Sequence, residues 1–400
     1  MAGPVDDGAR RIGENVRAAR LFRGLPLEAL AGLVGRSKGW LSKVENGKTR
    51  LERRGDIRAL AEALEVSAAD LLGEPTPAIR PRDRAHGDIV HLREVFLDSS
   101  LDNPLDVPTR PVGALAELVA GDIQVKRREA DYAALASCLP SVLAELHVHA
   151  ASGDEGEQVT ALRSLVDACT AATFVLRHLG QIDLAWIAAD RAKGAARHLD
   201  DPVMAGAAAF SQAHSRSSAA LSRALREAEH AAASMEAHRD GDPFAHEVYG
   251  MLQLSAALAR QIQGDHKGAG ERVAEAAQVA DRLGERAGAW QSFGPANVGV
   301  WKAMLAVEAE EPEAALAAAR SVDARALPSR GRKAALSIET GRALAMLGDD
   351  AGAVRAIRQA EKLSAARVHR NPLVRELVAD LYDHATGRDL RGLAWRMNLV

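Results

Sequence analysis

The segment between Lys43 and Arg58 concentrates positive charge, with six lysine and arginine residues against three acidic ones. Around its start, four residues recur at a spacing of four, which places them on one face of a helix: Lys38, Gly39, Ser42 and Lys43. Ammonium, guanidinium and hydroxyl groups donate hydrogen bonds and suit anions such as phosphate. The segment therefore has the chemistry of a short anion-binding helix with a basic exit.

The same short helix has a second, apolar side. Leu41 and Val44 are three residues apart and can face a small core. Ser37 can cap the start of the helix by accepting a backbone N–H of the first turn. Gly47 can adopt a positive φ and end it, which gives a helix of about eight to ten residues. The alternative is a solvated amphipathic helix in a small bundle.

Catalytic and metal-binding patterns are not apparent. His246 and Glu247 lack the second histidine of the HExxH zinc motif, and His147 and His149 are two residues apart, so they diverge on a helix. The sequence contains neither a glycine-rich phosphate loop nor a GxSxG elbow. We therefore expect no enzymatic activity, no metal and no cofactor.

Length and composition bound the fold class. The chain has 400 residues, of which 47% are hydrophobic and only 4% aromatic, and alanine is abundant. This composition favours two domains, one of them small, built from closely packed helices. The net charge of −3 hides an asymmetry, because residues 1–75 carry 13 lysine and arginine residues against 11 acidic ones, a net charge of +2. This is a weak indication of nucleic-acid binding, so the position of the basic segment matters more than the total charge.

Targeting and redox features are also informative. Cys138 and Cys169 lie far apart and support neither a disulfide framework nor a zinc module. The N-terminus has no basic segment followed by an apolar run, and no stretch of about 18 apolar residues occurs. We expect a soluble protein of the reducing cytoplasm.

Helical periodicity predicts a compact N-terminal unit of five short helices over residues 8–75. Pro26 suits the first position of the second helix, where its missing N–H costs nothing. Ser67-Ala-Ala-Asp70 is typical of a capping box that opens the fifth helix. The second and fourth helices have the following expected buried positions: Leu27, Leu30, Ala31, Leu33 and Val34, then Ile57, Leu60, Ala61 and Leu64.

The run from Ile12 to Leu72 resembles the helix-turn-helix domain of lambdoid phage repressors and regulators of the xenobiotic-response-element (XRE) type. The resemblance rests on an ordered set of motifs: Leu30-Ala31, Gly35, Leu41-Ser42 and Val44-Glu45-Asn46-Gly47-Lys48-Thr49. It implies a lambda-repressor-like DNA-binding domain. It also implies a structural ion pair between Arg20 and Glu45.

The same resemblance implies a division of labour around the recognition helix. Four positions would face base edges in the major groove: Ser37, Lys38, Gly39 and Lys43. Five would contact DNA phosphates: Arg36, Trp40, Asn46, Lys48 and Arg50. Two features weaken base readout, because Leu27 stands where related domains often carry glutamine and Gly39 offers no donor. Trp40 could equally cover the core.

A linker separates this unit from the rest of the chain. Residues 73–82 contain three prolines and cannot continue a helix. We predict a linker over 76–111, with a short amphipathic helix at about 88–97 that could dock on either domain. From Val112 to the C-terminus we predict helices of about 12 to 20 residues.

A repeat is visible at the turns between these helices. Gly180, Gly264 and Gly348 lie in similar motifs and are 84 residues apart, which suits two helix pairs per interval. The Leu-Gly-Asp turn, followed by alanines at close-packing positions, resembles the tetratricopeptide repeat. The predicted fold class is thus all-α, a DNA-binding domain followed by a tetratricopeptide-like α-solenoid. An irregular helical bundle is the alternative.

One stretch, residues 290–301, differs from its alanine-rich surroundings. Asn297 could present its amide to a peptide or a small polar ligand, with Trp290, Phe293 and Trp301 as apolar walls. The alternative is that these aromatic residues fill a kink at Gly294-Pro295.

Together with Leu327-Pro-Ser-Arg330 and the segment 372–378, this stretch resembles the sensor region of helix-turn-helix regulators common in actinomycetes. That resemblance implies a homodimeric regulator that binds a double-stranded DNA operator and responds to a peptide, small-molecule or protein effector, away from membranes. Two alternatives remain open. One is a scaffold tethered to DNA that responds to no small ligand, and the other is a small domain that has lost DNA binding and mediates dimerisation.

Overall fold

The computed structural model describes residues 7–51, 53–66, 71–72, 84–215, 221–236, 241–385 and 387–399. Throughout these ranges the regular structure is helical and no strand occurs. The predicted all-α class is confirmed, with a helix-turn-helix unit followed by a long α-solenoid.

Four described helices form the N-terminal domain. They are α1 (Asp7–Phe22), α2 (Leu27–Leu33), α3 (Lys38–Glu45) and α4 (Arg54–Leu64). Their inner faces bury a shared core whose largest members are Leu30, Leu41, Leu51, Leu60 and Leu64. Helical periodicity predicted this core, because the apolar residues recur on one face of each helix.

Three details of this domain bear on the sequence predictions. Pro26 is the N-cap of α2, and the helix itself begins at Leu27. Leu33, which was expected to be buried, is 64% exposed, because α2 spans less than two turns and buries only Leu30 and Ala31. The predicted capping box at 67–70 lies outside the described residues, although Leu71 is helical and buried.

Two helical segments lead into the second domain. Helix α5 (Arg84–Asp98) is longer than the predicted 88–97 and buries Leu92 and Phe96 in the core of the second domain. The predicted helix over 112–129 is continuous, but it contains one π-helical turn at Val119–Ile123, between α6 (Val112–Leu118) and α7 (Gln124–Arg128).

The second domain consists of α8 (Tyr132–Ser152) followed by five helix pairs and three terminal helices. The pairs are α9 (Glu155–His178) with α10 (Ile182–Arg197), α11 (Pro202–Ser215) with α12 (Leu221–Met235), α13 (Pro243–Ile262) with α14 (His266–Leu283), α15 (Pro295–Glu308) with α16 (Pro312–Ser321), and α17 (Arg330–Met346) with α18 (Asp350–Leu363). The terminal helices are α19 (Ala365–His369), α20 (Pro372–His384) and α21 (Arg388–Arg396).

The stacking of these pairs is regular. The two helices of each pair pack together, and α9, α11, α13, α15 and α17, the first helices of the pairs, also pack on one another in chain order. Contacts between nearest neighbours along one axis define a solenoid, so the irregular bundle is the wrong alternative. The first helices therefore form one continuous layer.

The repeated turns adopt the geometry that their glycines predicted. Gly180, Gly264 and Gly348 have φ values of 76°, 85° and 79°. In the last two turns an aspartate, Asp265 or Asp349, caps the following helix through a backbone N–H at 2.9 and 2.8 Å. Each of these two Gly-Asp turns thus ends one helix and begins the next.

Two helices, Tyr132–Ser152 and Glu155–His178, are long and apolar enough to cross a membrane by composition alone. Both are packed in the protein core, with 56% and 72% of their most apolar windows buried. A core helix of a globular domain has the same composition, so these helices are weak evidence for a membrane.

Gly47 yields a prediction about stability. It has a φ of 66°, and a β-carbon there would lie 2.8 Å from the Arg10 backbone, whereas Gly24 has a φ of 65° with no atom within 4 Å of such a carbon. We expect Gly24→Ala to cost about 1 kcal/mol through its positive φ. Gly47→Ala should cost at least about 2 kcal/mol, because the clash adds to the same strain.

The measurement is hydrogen exchange of the α1 and α3 amides in the full-length chain. Equal protection in the two variants would contradict the close approach of α1 to the turn after α3.

Candidate nucleic-acid interface and ligand site

Helix α3 presents the basic face that its sequence predicted. Ser37 is its N-cap, and the Ser37 hydroxyl accepts the backbone N–H of Trp40 at 3.1 Å. Leu41 and Val44 are buried on the opposite side. The helix is therefore fixed on the core by one side and leaves the other side open.

A buried ion pair holds the end of α3 against α1. Arg20 donates to both carboxylate oxygens of Glu45, at 2.5 and 2.8 Å, and its remaining nitrogen donates to the Leu25 carbonyl at 2.8 Å. The hydrogen bond that Arg20 donates to Glu45 raises the pKa of Arg20. The structure thus contains the ion pair that the resemblance implied, and this pair sets the angle between the two helices.

The candidate base-contacting residues lie together on the open side. Ser37, Lys38, Gly39 and Lys43 are all exposed. Lys38 pairs with Glu28 of α2, whereas Lys43 makes no ion pair with any described residue. These residues are placed where a groove could reach them, and their contacts with bases remain predictions.

The candidate phosphate-contacting residues fall into three groups. Asn46 and Lys48 are exposed at the end of α3. Trp40 is half-buried against the core, and the Arg36 guanidinium lies 5.3 Å from its ring centroid. This packing favours the alternative in which Trp40 covers the core. Arg36 and Arg50 form ion pairs within the chain.

These ion pairs join the N-terminal domain to the helical domain. Arg36 donates to both oxygens of Asp56, at 3.0 and 2.9 Å, and lies 3.6 Å from Glu310, just beyond α15. Arg50 pairs with Asp380 of α20. Two arginines that could hold DNA phosphates are thus held by carboxylates in this conformation.

We call this contact between the N-terminal domain and the helical domain the joint. Glu308, the last residue of α15, lies at its centre. Its carboxylate accepts the Arg54 backbone N–H at 3.1 Å, the Arg54 guanidinium at 2.9 Å and the Arg342 guanidinium at 3.0 Å. The Glu308 carbonyl accepts from Arg53 at 2.9 Å. Burial opposes ionisation of this carboxyl, but Arg54 and Arg342 outweigh it and hold its pKa below the usual range. No sequence signal identified this residue.

The predicted ligand residues are buried rather than exposed to a groove. Trp290, Phe293, Asn297 and Trp301 are 7%, 2%, 1% and 3% exposed. The Phe293 ring occupies the space above Gly250, where a β-carbon would lie 2.0 Å from the ring. Trp290 packs edge-on against Phe210 at 5.1 Å. Trp290 and Phe293 therefore fill the kink, as the alternative proposed.

Trp301 instead borders a polar interior. Its ring lies 5.8 Å from that of His214 and 5.5 Å from the Arg332 guanidinium. On the far side, Arg367 donates to the Tyr132 hydroxyl at 2.9 Å, and the Tyr132 ring lies 5.2 Å from His178. We call the region between these groups the central chamber. Its polar side chains are half-buried, except the exposed Arg177, and comprise Arg127, Arg177, His178, His214, Arg332 and Arg367.

The ionisation of the chamber residues reflects low solvation. Burial, reinforced by the neighbouring arginines, holds the pKa of both His178 and His214 well below the usual range. Burial lowers the pKa of Arg332 to about 9 and raises that of Asp167 to about 6. At neutral pH the histidines are thus neutral. The chamber was not predicted, because arginine is common along the whole chain.

Comparison with known proteins supports the N-terminal assignment. Residues 11–72 match a family model described as a helix-turn-helix domain, which covers nearly all of the N-terminal domain. This match and the fold of α1 to α4 identify a helix-turn-helix domain. No curated protein matches the chain.

Two solved structures align with most of the chain. One is Bacillus thuringiensis PlcR in complex with the peptide PapR7 and DNA, with 11% identity, coverage of 94% of this chain and 100% of that one, and a TM-score of 0.27. The other is the Streptococcus dysgalactiae SHP pheromone receptor Rgg2, with 11% identity, the same coverages and a TM-score of 0.20. At such TM-scores the helices superpose too poorly to support any statement about function.

Glu308 yields a prediction about the domain joint. Glu308→Gln removes the negative charge that Arg54 and Arg342 share, and removing one partner of a buried ion pair typically costs about 3 to 5 kcal/mol. We expect faster hydrogen exchange at the start of α4 in the full-length chain. Glu313→Gln, an exposed change on the next helix, is the control. Unchanged exchange in Glu308→Gln would show that the joint does not depend on this carboxylate.

The Glu308 carboxyl also makes the stability of the joint depend on pH. Because the pKa of Glu308 is lower in the folded protein, its contribution to stability is present above the unfolded value of about 4.5 and is lost as the pH falls through the folded value. Acidification should therefore open the joint of the native chain, whereas Glu308→Gln should be open already at neutral pH.

Proposed function

We propose that this protein is a sequence-specific, DNA-binding transcriptional regulator. Its helical-repeat domain binds a peptide, small molecule or protein partner that changes the affinity for an operator. The observation that carries this proposal is the joint itself. The recognition helix is open, but arginines beside it are held by carboxylates of a domain that contains a polar chamber.

DNA recognition in this proposal follows from the exposed face of α3. Lys38 and Lys43 would donate to guanine O6 and N7 in the major groove, and Asn46 and Lys48 would hold phosphates. With Gly39 in the middle of the face, base contacts are few. Phosphate anchoring and DNA shape would then contribute much of the selectivity.

The ion pairs of the joint suggest how a ligand could act on DNA binding. Arg50 can serve either Asp380 or a DNA phosphate, but not both at once, whereas Arg36 would have to leave Asp56 of its own domain as well as Glu310. A ligand that favours one arrangement of the helical domain would therefore alter the number of phosphate contacts. The coupling requires no contact between ligand and DNA.

Two-fold symmetry is part of the proposal. One such domain covers a single half-site, and half-sites about 34 Å apart require two copies. We therefore propose a homodimer in the cytoplasm. Sedimentation as a monomer at micromolar concentration in the presence of operator would contradict it.

A scaffold tethered to DNA is the second candidate. It is favoured by the many ion pairs of the joint, which would hold a rigid platform for a protein partner. The two candidates differ in one property: a scaffold keeps a single operator affinity whatever is added, whereas a regulator of the proposed kind does not.

Recognition can be tested by electrophoretic titration of the full-length protein with genomic fragments, beginning with the region upstream of its own coding sequence. We expect Lys43→Ala to cost about 1 to 3 kcal/mol and to relax preference at one base, because it removes a base contact. Lys48→Ala should weaken all sequences alike and reduce the salt slope by about 0.9. Lys267→Ala, a charge loss on an exposed part of the helical domain, is the control. Equal behaviour of all three variants would refute the assignment.

The competition for Arg50 can be tested separately. Asp380→Asn removes its carboxylate partner, so we expect tighter DNA binding by about fivefold, or about 1 kcal/mol. The salt slope should steepen by about 0.9, since one more phosphate is neutralised. Asp281→Asn, at an exposed site on α14, makes the same charge change away from the joint. Unchanged affinity in Asp380→Asn would mean that Arg50 does not contact DNA.

A further inference from the structure

The central chamber contains more positive charge than its carboxylates can balance. Arg332 and Arg367 are neighbours, since a β-carbon on Gly331 would lie 3.2 Å from the Arg367 Nε atom. Arg367 also donates to Tyr132, and Arg332 lies over Trp301. Neither guanidinium is recorded in an ion pair within the part of the chain that the structure describes.

The other charged groups around the chamber do not balance its excess of positive charge. Arg127 donates to the Gln291 side-chain oxygen at 2.7 Å and has Asp167 nearby. Glu339 is already engaged by Arg342 at 2.7 Å. Arg177 adds a further guanidinium close to Arg367. Among the described residues, the carboxylates near these four arginines are thus Asp167 and Glu339, and Glu339 is shared with Arg342.

Arg342 is an example of a buried arginine whose charge is balanced by carboxylates within the protein. It is buried at the joint between two carboxylates, Glu308 and Glu339, at 3.0 and 2.7 Å. Burial of a guanidinium is tolerated when such partners are present. Arg332 and Arg367 have no such carboxylate partner among the described residues, so ion pairing within the protein does not account for their position.

Unpartnered polar atoms cluster around the same space. Five side-chain atoms there are buried without a hydrogen-bond partner: His178 Nε2, Asn297 Oδ1, Trp301 Nε1, Arg332 Nε and Asp167 Oδ1. Asn297 is 1% exposed, and its Nδ2 atom donates to the Gln291 carbonyl at 3.2 Å. Buried polar groups are normally paired, so this concentration indicates groups that a ligand would satisfy.

We propose that the central chamber binds a small organic anion, with its carboxylate or phosphate group held by Arg332 and Arg367 and a flat apolar part against Trp301 and Tyr132. Guanidinium groups bind both kinds of oxyanion through paired N–H donors. Aromatic rings beside the arginines suit a planar apolar group. This inference rests on the proposed function, because it names the chemical class of the ligand that the helical domain would receive.

The test uses 8-anilinonaphthalene-1-sulfonate as the anionic probe and N-phenyl-1-naphthylamine, which has the same rings without the sulfonate, as its neutral counterpart. Both are titrated by fluorescence against the full-length protein. Arg332→Met and Arg367→Met should each weaken the sulfonate probe at least tenfold and change the neutral probe less than twofold. Arg163→Met, an exposed arginine paired with Asp201, should change neither.

Thermal unfolding without any probe gives a second readout that separates binding from structure. If the chamber arginines serve to bind an anion, Arg332→Met should relieve the repulsion between guanidinium groups in the unliganded protein. The melting temperature should then be unchanged or higher. If Arg332 instead stabilises the fold, Arg332→Met should lower the melting temperature. A lower melting temperature together with unchanged affinity for the sulfonate probe would overturn the proposal.

Competition distinguishes the two sources of the oxyanion. Citrate and pyrophosphate are added at an ionic strength matched with sodium chloride, and the one that displaces the sulfonate probe at lower concentration identifies the preferred group. Displacement by neither, beyond that of chloride, would overturn the proposal. Operator binding is measured in parallel. If it is retained while the anion tests fail, only the ligand class is wrong, and if the anion binds without operator binding, only the regulator assignment is wrong.

Discussion

The joint between the two domains depends on one buried carboxylate. Glu308 lies between Arg54 of the helix-turn-helix domain and Arg342 of the solenoid, and it also accepts the Arg54 backbone N–H at the start of α4. A carboxylate in this position is stabilised by two guanidinium groups and by the amide dipoles of a helix N-terminus. Loss of Glu308 would leave Arg54 without this partner at the contact between the domains, so the attachment of the two domains depends on this carboxylate.

Arginine residues have opposite surroundings at the joint and in the central chamber. At the joint, carboxylates match the guanidinium groups, and the contact holds the resting arrangement. In the chamber, Arg332 and Arg367 lie beside neutral histidines and aromatic rings, where charge is left over. Because α15 carries both Trp301 of the chamber and Glu308 of the joint, a ligand that moved this helix would act on Arg54 directly. One rigid helix thus connects the two places.

Much of the fold could be predicted from sequence because its signals are local. Apolar periodicity predicted the helices, and the spacing of Gly180, Gly264 and Gly348 indicated the solenoid. The Ser37 cap and the end of α3 at Gly47 follow from the same kind of local chemistry. The face of α3 was therefore accessible to sequence reasoning.

The remainder depends on residues that are distant in sequence. Arg50 and Asp380 are 330 positions apart, and nothing in either neighbourhood indicates the other. The chamber was hidden for a different reason: arginine is frequent everywhere, so four of them on separate helices make no pattern. Asn297 and Trp301 were singled out by composition, but only the packed structure reveals that Phe293 fills a kink while Trp301 borders a polar space.

The central claim is that the open face of α3 reads a defined DNA site as part of a symmetric pair. It is tested most directly by mapping, across the whole genome, the fragments that the purified full-length protein retains at physiological salt. The expected result is a small set of fragments that share an inverted repeat with half-site centres about 10 to 11 base pairs apart, or a multiple of that spacing. Retention of fragments without any shared sequence, or of none, would contradict it.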